Sequence, residues 1–278
     1  LVEQTIRAGR PVVTLGPIAH NRHLVRHFED LGVKVVSDPE QIPDGCAVVI
    51  RSHGIPRETY ERLCGRRLEI IDATCPSVKR IHRIVAKAEE DGRQPVIIGT
   101  PTHPEVVAIA GWCRHPLVFQ DAAALQNWLD SDPKNPSLPL SMVSQTTSTK
   151  FLWESCKKIA KKVCTNCEIF DTICKATENR QTEAAELASQ SDAMVVVGDK
   201  NSSNTVRLAH ICSEHCDNVM LVDNASELEA DKLCAADNIG ITAGASTPAW
   251  IIKEVKQTMS EITNVDAVAE ENFEELLG

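Results

Sequence analysis

Two cysteines stand in the same local setting. Glu69-Ile70-Ile71-Asp72-Ala73-Thr74-Cys75 and Glu168-Ile169-Phe170-Asp171-Thr172-Ile173-Cys174 agree at Glu, Ile, Asp and Cys, and the two cysteines are separated by 99 residues (75 to 174). In each copy an apolar run meets an Asp, a Cys follows three residues later, and the next residues read as the opening of a helix. A thiol where a strand hands over to a helix lies near helix amides, which lowers its pKa and suits it to metal ligation. Any one cysteine is as readily a buried structural thiol. The repetition of the whole D-x-x-C context is what favours a pair of ligands.

Three histidines, His20, His53 and His103, each stand beside a Gly or Pro turn after a β-branched run. A lone His is usually a hydrogen-bonded structural residue, but three in equivalent loops suggest a shared pocket. They suit a catalytic zinc, which takes three protein ligands, or an anion, to which each donates an N–H. Ser202-Ser203-Asn204 opens a helix after a Gly-containing loop; one such residue is enough for an N-cap, and two hydroxyls and an amide suit phosphate oxygens. Ala243-Gly244-Ala245-Ser246 has the same character, small residues admitting an anion to backbone amides and Ser246 adding a hydroxyl. Glu105 follows His103-Pro104; it is either a first-turn carboxylate or, in a pocket beside Thr146, a proton donor. Cys164-Thr165-Asn166-Cys167 is a C-x-x-C pair without a second pair at zinc-ribbon spacing, placed just before a strand, and Cys212 and Cys216 read as helix-face thiols. Both groups are taken as incidental.

The elements that position these residues repeat one phrase. Pro11–Leu15, Cys46–Ile50, Pro95–Ile98, Leu140–Val143, Met194–Val197 and Ile239–Thr242 are short apolar runs, each followed by a polar loop and an amphipathic segment. Apolar strands alternating with helices mean parallel sheets covered on both faces, with ligands at the carboxyl ends of the strands. The expected fold class is α/β, in three small units of parallel sheet: residues 1–75, 76–171 and 172–265, then an acidic tail or linker over 266–278.

Composition narrows the partners. Of 278 residues, 42% are hydrophobic and 24% charged, as in soluble globular proteins. A net charge of −10 and only 4% aromatics argue against a nucleic-acid surface in this segment, but leave room for a small anion. There is no secretory core and no bilayer-length apolar run; with 11 cysteines in a chain too long to need disulfide staples, a reducing cytoplasm is expected.

Taken together, His20-Asn21, Ser52-His53-Gly54, Asp72-Ala73-Thr74-Cys75-Pro76, His103-Pro104-Glu105, Gln145-Thr146-Thr147, Cys174-Lys175-Ala176-Thr177-Glu178-Asn179-Arg180-Gln181, Gly198-Asp199-Lys200-Asn201-Ser202-Ser203-Asn204 and Thr242-Ala243-Gly244-Ala245-Ser246-Thr247-Pro248 resemble the 4-hydroxy-3-methylbut-2-enyl diphosphate reductase (IspH or LytB) family, in order and to about Asn264. The resemblance implies a trefoil of three α/β domains with pseudo-threefold symmetry around a central 4Fe-4S cluster, two of whose ligands are Cys75 and Cys174. It puts the third ligand in a Gly-Phe-Cys segment upstream of Leu1, so the chain is expected to be N-terminally truncated and to reconstitute the cluster only when that segment is restored. It implies reductive removal of an allylic hydroxyl, with Glu105 and Thr146 delivering the proton and His20, His53, His103, Ser202, Ser203, Asn204 and Ser246 holding the diphosphate. A ferredoxin- or flavodoxin-type donor supplies the electrons, and S1-like repeats follow the tail in some bacterial relatives. Two alternatives remain: a catalytically incomplete fragment of that family, and a three-His zinc hydrolase.

Overall fold

The structure, a computed structural model, describes residues 2–19 and 21–263. Among them the strands form three sheets, each grown from a short run that is apolar along its length. In the first, β1 (Val12–Leu15) lies between β2 (Lys34–Val36) and β3 (Ala47–Ile50), with β4 (Glu69–Asp72) outside β3. In the second, β5 (Gln94–Ile98) lies between β6 (Leu117–Phe119) and β7 (Leu140–Ser144), with β8 (Cys167–Ile169) outside β7. In the third, β9 (Ala193–Val197) lies between β10 (Val219–Val222) and β11 (Ile239–Ala243). The pairings are parallel, as the alternation of strand and helix predicts.

Parallel neighbours need crossovers, and helices supply most of them. The first sheet is served by α1 (Val2–Arg7), α2 (Arg22–Asp30) and α3 (Arg57–Cys64). Then come α4 (Pro76–Glu90), α5 (Pro104–Ala110), α6 (Ala122–Ser131) and α7 (Lys150–Val163), followed by α8 (Lys175–Ala188), α9 (Ser203–Ser213), α10 (Ala230–Cys234) and α11 (Ala249–Thr263). No described helix is long and apolar enough to cross a membrane. The middle strands are sealed on both faces: Val48 and Val49 of β3 are both fully buried. Val48 packs with Leu15, Ile55 and Leu63 on one side of the sheet, and Val49 with Val12, Val33 and Ile71 on the other. That two-sided burial is why these strands read as continuous apolar runs rather than alternating ones.

The chain divides into two compact units, one of Leu1–Ile18 with His27–Glu178 and one of Ala19–Arg26 with Asn179–Gly278. The first two sheets fall in the first unit and the third sheet in the second. The division into three domains at 75 and 171 stands as a proposal, and the tail over 266–278 lies outside the described residues.

Candidate functional site

Within each sheet the chain runs from the central strand to one neighbour and then back across to the other. This reversal opens a crevice between the first and third strands, at their carboxyl ends. The sequence-derived candidates occupy the loops that flank it. His53 follows β3, His103 follows β5, and Thr146 follows β7. Ser202 follows β9 and Ser246 follows β11. His20 comes after β1 in sequence but lies outside the described residues. The two repeated cysteines follow the outer strands, β4 and β8.

In the first unit Cys75 and Cys174 are held alike. The Cys75 N–H donates to Ser52 O at 3.0 Å and that of Cys174 to Thr146 O at 3.0 Å. Each carbonyl then accepts the first bond of its helix, from Lys79 N at 2.9 Å and from Glu178 N at 2.9 Å. Pro76 at the first position of α4 needs no N–H partner, so the turn at Cys75 closes without loss. Both thiols are free and half-buried. Cysteines at the mouths of two helices, tied to loops that carry other candidates, have the chemistry of cluster ligands. Among the described residues no group of three His, Cys, Asp or Glu is gathered for a metal ion.

The Asp of the repeat has different partners in its two copies. Asp72 accepts from the Thr74 N–H at 3.0 Å and pairs with Lys79 at 2.7 Å. Burial opposes its ionisation, but Lys79 and Thr74 hold its pKa below the ordinary carboxylate value. Asp171 is held instead by Lys157 at 2.9 Å and by the Trp153 indole N–H at 2.5 Å, which also lower its pKa. Thr172 reinforces the second turn, its hydroxyl donating to Ser144 O and accepting from Ser144 N, both at 2.7 Å.

Glu105 lies in the first turn of α5, yet it is not a solvated helix-end carboxylate: it is 2% exposed. The Thr146 N–H donates to its Oε1 at 2.6 Å and the Thr146 hydroxyl to its Oε2 at 2.8 Å. Burial raises the pKa of Glu105 against the pull of those two bonds. A carboxyl that keeps its proton beyond the ordinary range is suited to act as a general acid. When it is protonated, the 2.8 Å contact can run the other way, Glu105 donating to the Thr146 oxygen and the Thr146 hydroxyl passing a proton onward.

His103 caps the same helix, its Nδ1 accepting from the Glu105 N–H at 3.2 Å. That bond puts the proton of the neutral ring on Nε2, so His103 presents a donor. The rings of His53 and His103 meet edge to face, centroids 5.5 Å apart. Gln145 braces this loop, accepting from Thr100 N at 3.2 Å and donating to Thr147 Oγ1 at 2.9 Å.

In the second unit Ser202 is the N-cap of α9 and accepts from the Thr205 N–H at 3.4 Å. Asn204 is 6% exposed, and neither its amide nitrogen nor its amide oxygen has a hydrogen-bond partner. Such an orphan costs free energy unless a ligand completes it. The loop of Ser246 is tied to the end of β9, Gly244 N donating to Val197 O at 2.9 Å and Thr247 Oγ1 to the same oxygen at 3.0 Å. A network that the motifs did not reveal anchors Arg22. Arg22 N donates to Asp199 Oδ2 at 2.9 Å, and the Arg22 guanidinium pairs with Asp223 at 2.7 Å. Its only sequence signal was Asp199, inside the Gly198-Asp199-Lys200 motif.

Neither of the other two cysteine groups shares the strand-end, helix-mouth setting of Cys75 and Cys174. Cys164 ends α7, and Cys167 is the first residue of β8, rather than preceding the strand as expected. Burial pushes Cys167 up to about 11. Cys212 is buried in α9 and Cys216 beyond its end, both against Ala184 and Ala188, so the two do not share a helix face. A cavity of about 410 Å³ is lined by Ile55, Tyr60, Asp72, Thr74, Lys79, His82, Arg83 and Trp112, and by none of the candidate site residues.

Known proteins match this layout along most of the chain. A relative from Alkaliphilus oremlandii, named 4-hydroxy-3-methylbut-2-enyl diphosphate reductase, is 38% identical over 257 residues, 91% of this chain and 89% of the relative. A solved (E)-4-hydroxy-3-methyl-but-2-enyl diphosphate reductase, the terminal enzyme of the non-mevalonate pathway, is 35% identical with a TM-score of 0.69, covering 94% of this chain and 92% of its own. The corresponding reductase structure from Plasmodium falciparum, 23% identical, shares the fold with a TM-score of 0.86 over 99% of this chain and 91% of its own. The family model described as LytB protein matches residues 1–260. With that span matched almost end to end, the chain belongs to the LytB protein family.

Proposed function

We propose that this chain is a 4-hydroxy-3-methylbut-2-enyl diphosphate reductase, an oxidoreductase of the last step of the methylerythritol phosphate route to isoprenoids. The allylic hydroxyl leaves as water, and two electrons and two protons are taken up, giving isopentenyl and dimethylallyl diphosphate. The observation that carries the reading is Glu105: a buried carboxyl with a raised pKa, bonded through both oxygens to the residue whose carbonyl anchors Cys174.

Each group has a separate task. Glu105 holds the proton for the departing hydroxyl, and the Thr146 hydroxyl relays it. His20, His53 and His103 donate to the diphosphate, with Ser202, Ser203, Asn204 and Ser246. Fixing that unreactive end orients the carbon skeleton and spends binding energy on the reacting end. The unpartnered amide of buried Asn204 supports this assignment. Cys75 and Cys174 would be among the ligands of an iron–sulfur cluster of the four-iron class, which would supply electrons and Lewis acidity when bound. A ferredoxin- or flavodoxin-type protein of the cytoplasm is the electron donor. The zinc alternative is disfavoured by His103, whose Nδ1 is committed to capping α5.

The test is turnover of the allylic diphosphate by the complete enzyme under a low-potential reductant, with iron, sulfide and zinc measured in the same sample. Formation of the two isoprenoid diphosphates in proportion to iron is expected. Stoichiometric zinc with no reductive turnover would refute the proposal.

A further inference from the structure

We infer that the stacked pair His82 and Trp112 positions His53 for anion binding without touching the anion; the inference rests on the diphosphate reading above. His82 lies in α4, seven residues after Cys75 and so about two turns on. It is 4% exposed, and its Nε2 has no hydrogen-bond partner. Burial lowers its pKa to about 4, so the ring is neutral at ordinary pH. An imidazole that makes no hydrogen bond through Nε2, at a site that penalises the charged form, contributes chiefly the shape of its ring. That ring stacks on Trp112, centroids 4.9 Å apart and planes 15° from parallel.

Both partners grip the segment that follows His53. Gly54 has φ +74, and a Cβ there would stand 2.6 Å from His82 Cε1, so the ring edge abuts backbone that only glycine supplies. On the other side the Trp112 indole N–H donates to Ile55 O at 2.9 Å. One residue earlier, Gly111 O accepts from Arg57 N at 3.2 Å, and a Cβ on Gly111 would lie 2.5 Å from Pro56 Cβ. The segment 54–57 is therefore held between the body of α4 and the end of α5. Those helices begin at Cys75 and at His103 with Glu105. The stack ties together three of the places from which the first unit presents its chemistry, and beside it His53 meets His103 ring to ring.

Trp112→Phe keeps a ring in the stack and removes the bond to Ile55. His82→Leu removes an unsatisfied nitrogen along with the flat edge. The pair borders the 410 Å³ cavity, so the volume lost in Trp112→Phe opens onto an existing space, while Leu at 82 is close to His in volume; both variants are expected to fold. Inorganic pyrophosphate binding to the full chain is measured beside the melting temperature, with His53→Asn as control. Both variants are expected to weaken pyrophosphate roughly threefold to tenfold, the factor carried by one ordinary hydrogen bond. A small fall in melting temperature is expected in Trp112→Phe, which loses a hydrogen bond, and none in His82→Leu. The His53 Cε1 proton resonance should move in both variants. Unchanged affinity in both variants while His53→Asn weakens binding would overturn the positioning role and leave the diphosphate reading standing. Unchanged binding in His53→Asn would instead sink that reading, and the His53 resonance then decides positioning by itself: unmoved, it too is overturned. Loss of affinity only in step with loss of melting temperature marks a merely structural role and also overturns it.

Discussion

Thr146 engages Glu105 through both carboxyl oxygens, its N–H at 2.6 Å from Oε1 and its hydroxyl 2.8 Å from Oε2. Two donors normally depress a carboxyl pKa, but here burial outweighs them and the pKa is raised. Glu105 is thus oriented by Thr146, and its burial favours the proton-bound form. A relay needs both properties.

Replacing Glu105 by Gln keeps the shape and the bond from Thr146 N, and removes the transferable proton. Turnover is expected to fall by about 10²–10⁴-fold, with substrate affinity little changed. Near-normal turnover in steady-state assays would end the assignment of Glu105 as the acid.

The same substitution has a pH signature in stability. The folded chain binds the Glu105 proton more tightly than the unfolded chain does, so stability falls as pH rises from the ordinary 4.5 to the raised folded value. Above that window the cost of an ionised, buried carboxylate is complete. Glu105→Gln removes this dependence. Urea midpoints should show the variant gaining on the parent as pH rises, with the gap closing below about pH 4.5. Parallel profiles would show that burial does not raise this pKa.

His103→Asn is an informative change because Asn is itself a good N-cap. Helix α5 should persist while the imidazole donor is lost. Pyrophosphate binding is expected to weaken about 10- to 100-fold, the range for a hydrogen bond to a charged group, as in His53→Asn and Asn204→Ala. Iron content should stay at the parent value. Zinc lost together with these histidines would point back to a hydrolase.

In the complete enzyme Cys75→Ser and Cys174→Ser should each abolish iron binding and reductase activity. The double change Cys164→Ser with Cys167→Ser should leave both intact, because these thiols sit at the start of β8 and Cys174 follows its end. Iron analysis and visible absorption measure the difference. Loss of the cluster in the double variant alone would show that the ligands have been misplaced.

Much of the architecture is written locally. An apolar run of four or five residues followed by a polar loop announces a strand that will be buried on both faces, and the runs ending at Leu15, Ile50, Ile98 and Val197 are strands to that very residue. The runs ending at Val143 and Thr242 extend one residue further. The D-x-x-C echo likewise located both thiols at helix mouths. Strands β2, β6 and β10 gave no comparable signal: each is three or four residues long, at the edge of its sheet and only partly buried, so no continuous apolar run is required of it.

Strand order was decided by tertiary structure, because it depends on which faces are buried together and not on any local pattern. That order places the loops of His53, His103, Thr146, Ser202 and Ser246 beside the crevice of their own sheet. Tertiary packing also set the electrostatics. Whether Glu105 is a solvated helix-end carboxylate or a buried carboxyl with a raised pKa depends on its burial beneath Thr146, 41 residues away in sequence. Asp72 and Asp171 stand at equivalent positions in sequence but answer to Lys79 in one case and to Lys157 with Trp153 in the other. The amino-acid sequence by itself determined which residues stand at strand ends, since hydrophobic patterning acts over a few neighbours. Only the folded chain determined which of them meet and which have their pKa shifted, since those properties arise from contacts between residues far apart in the chain.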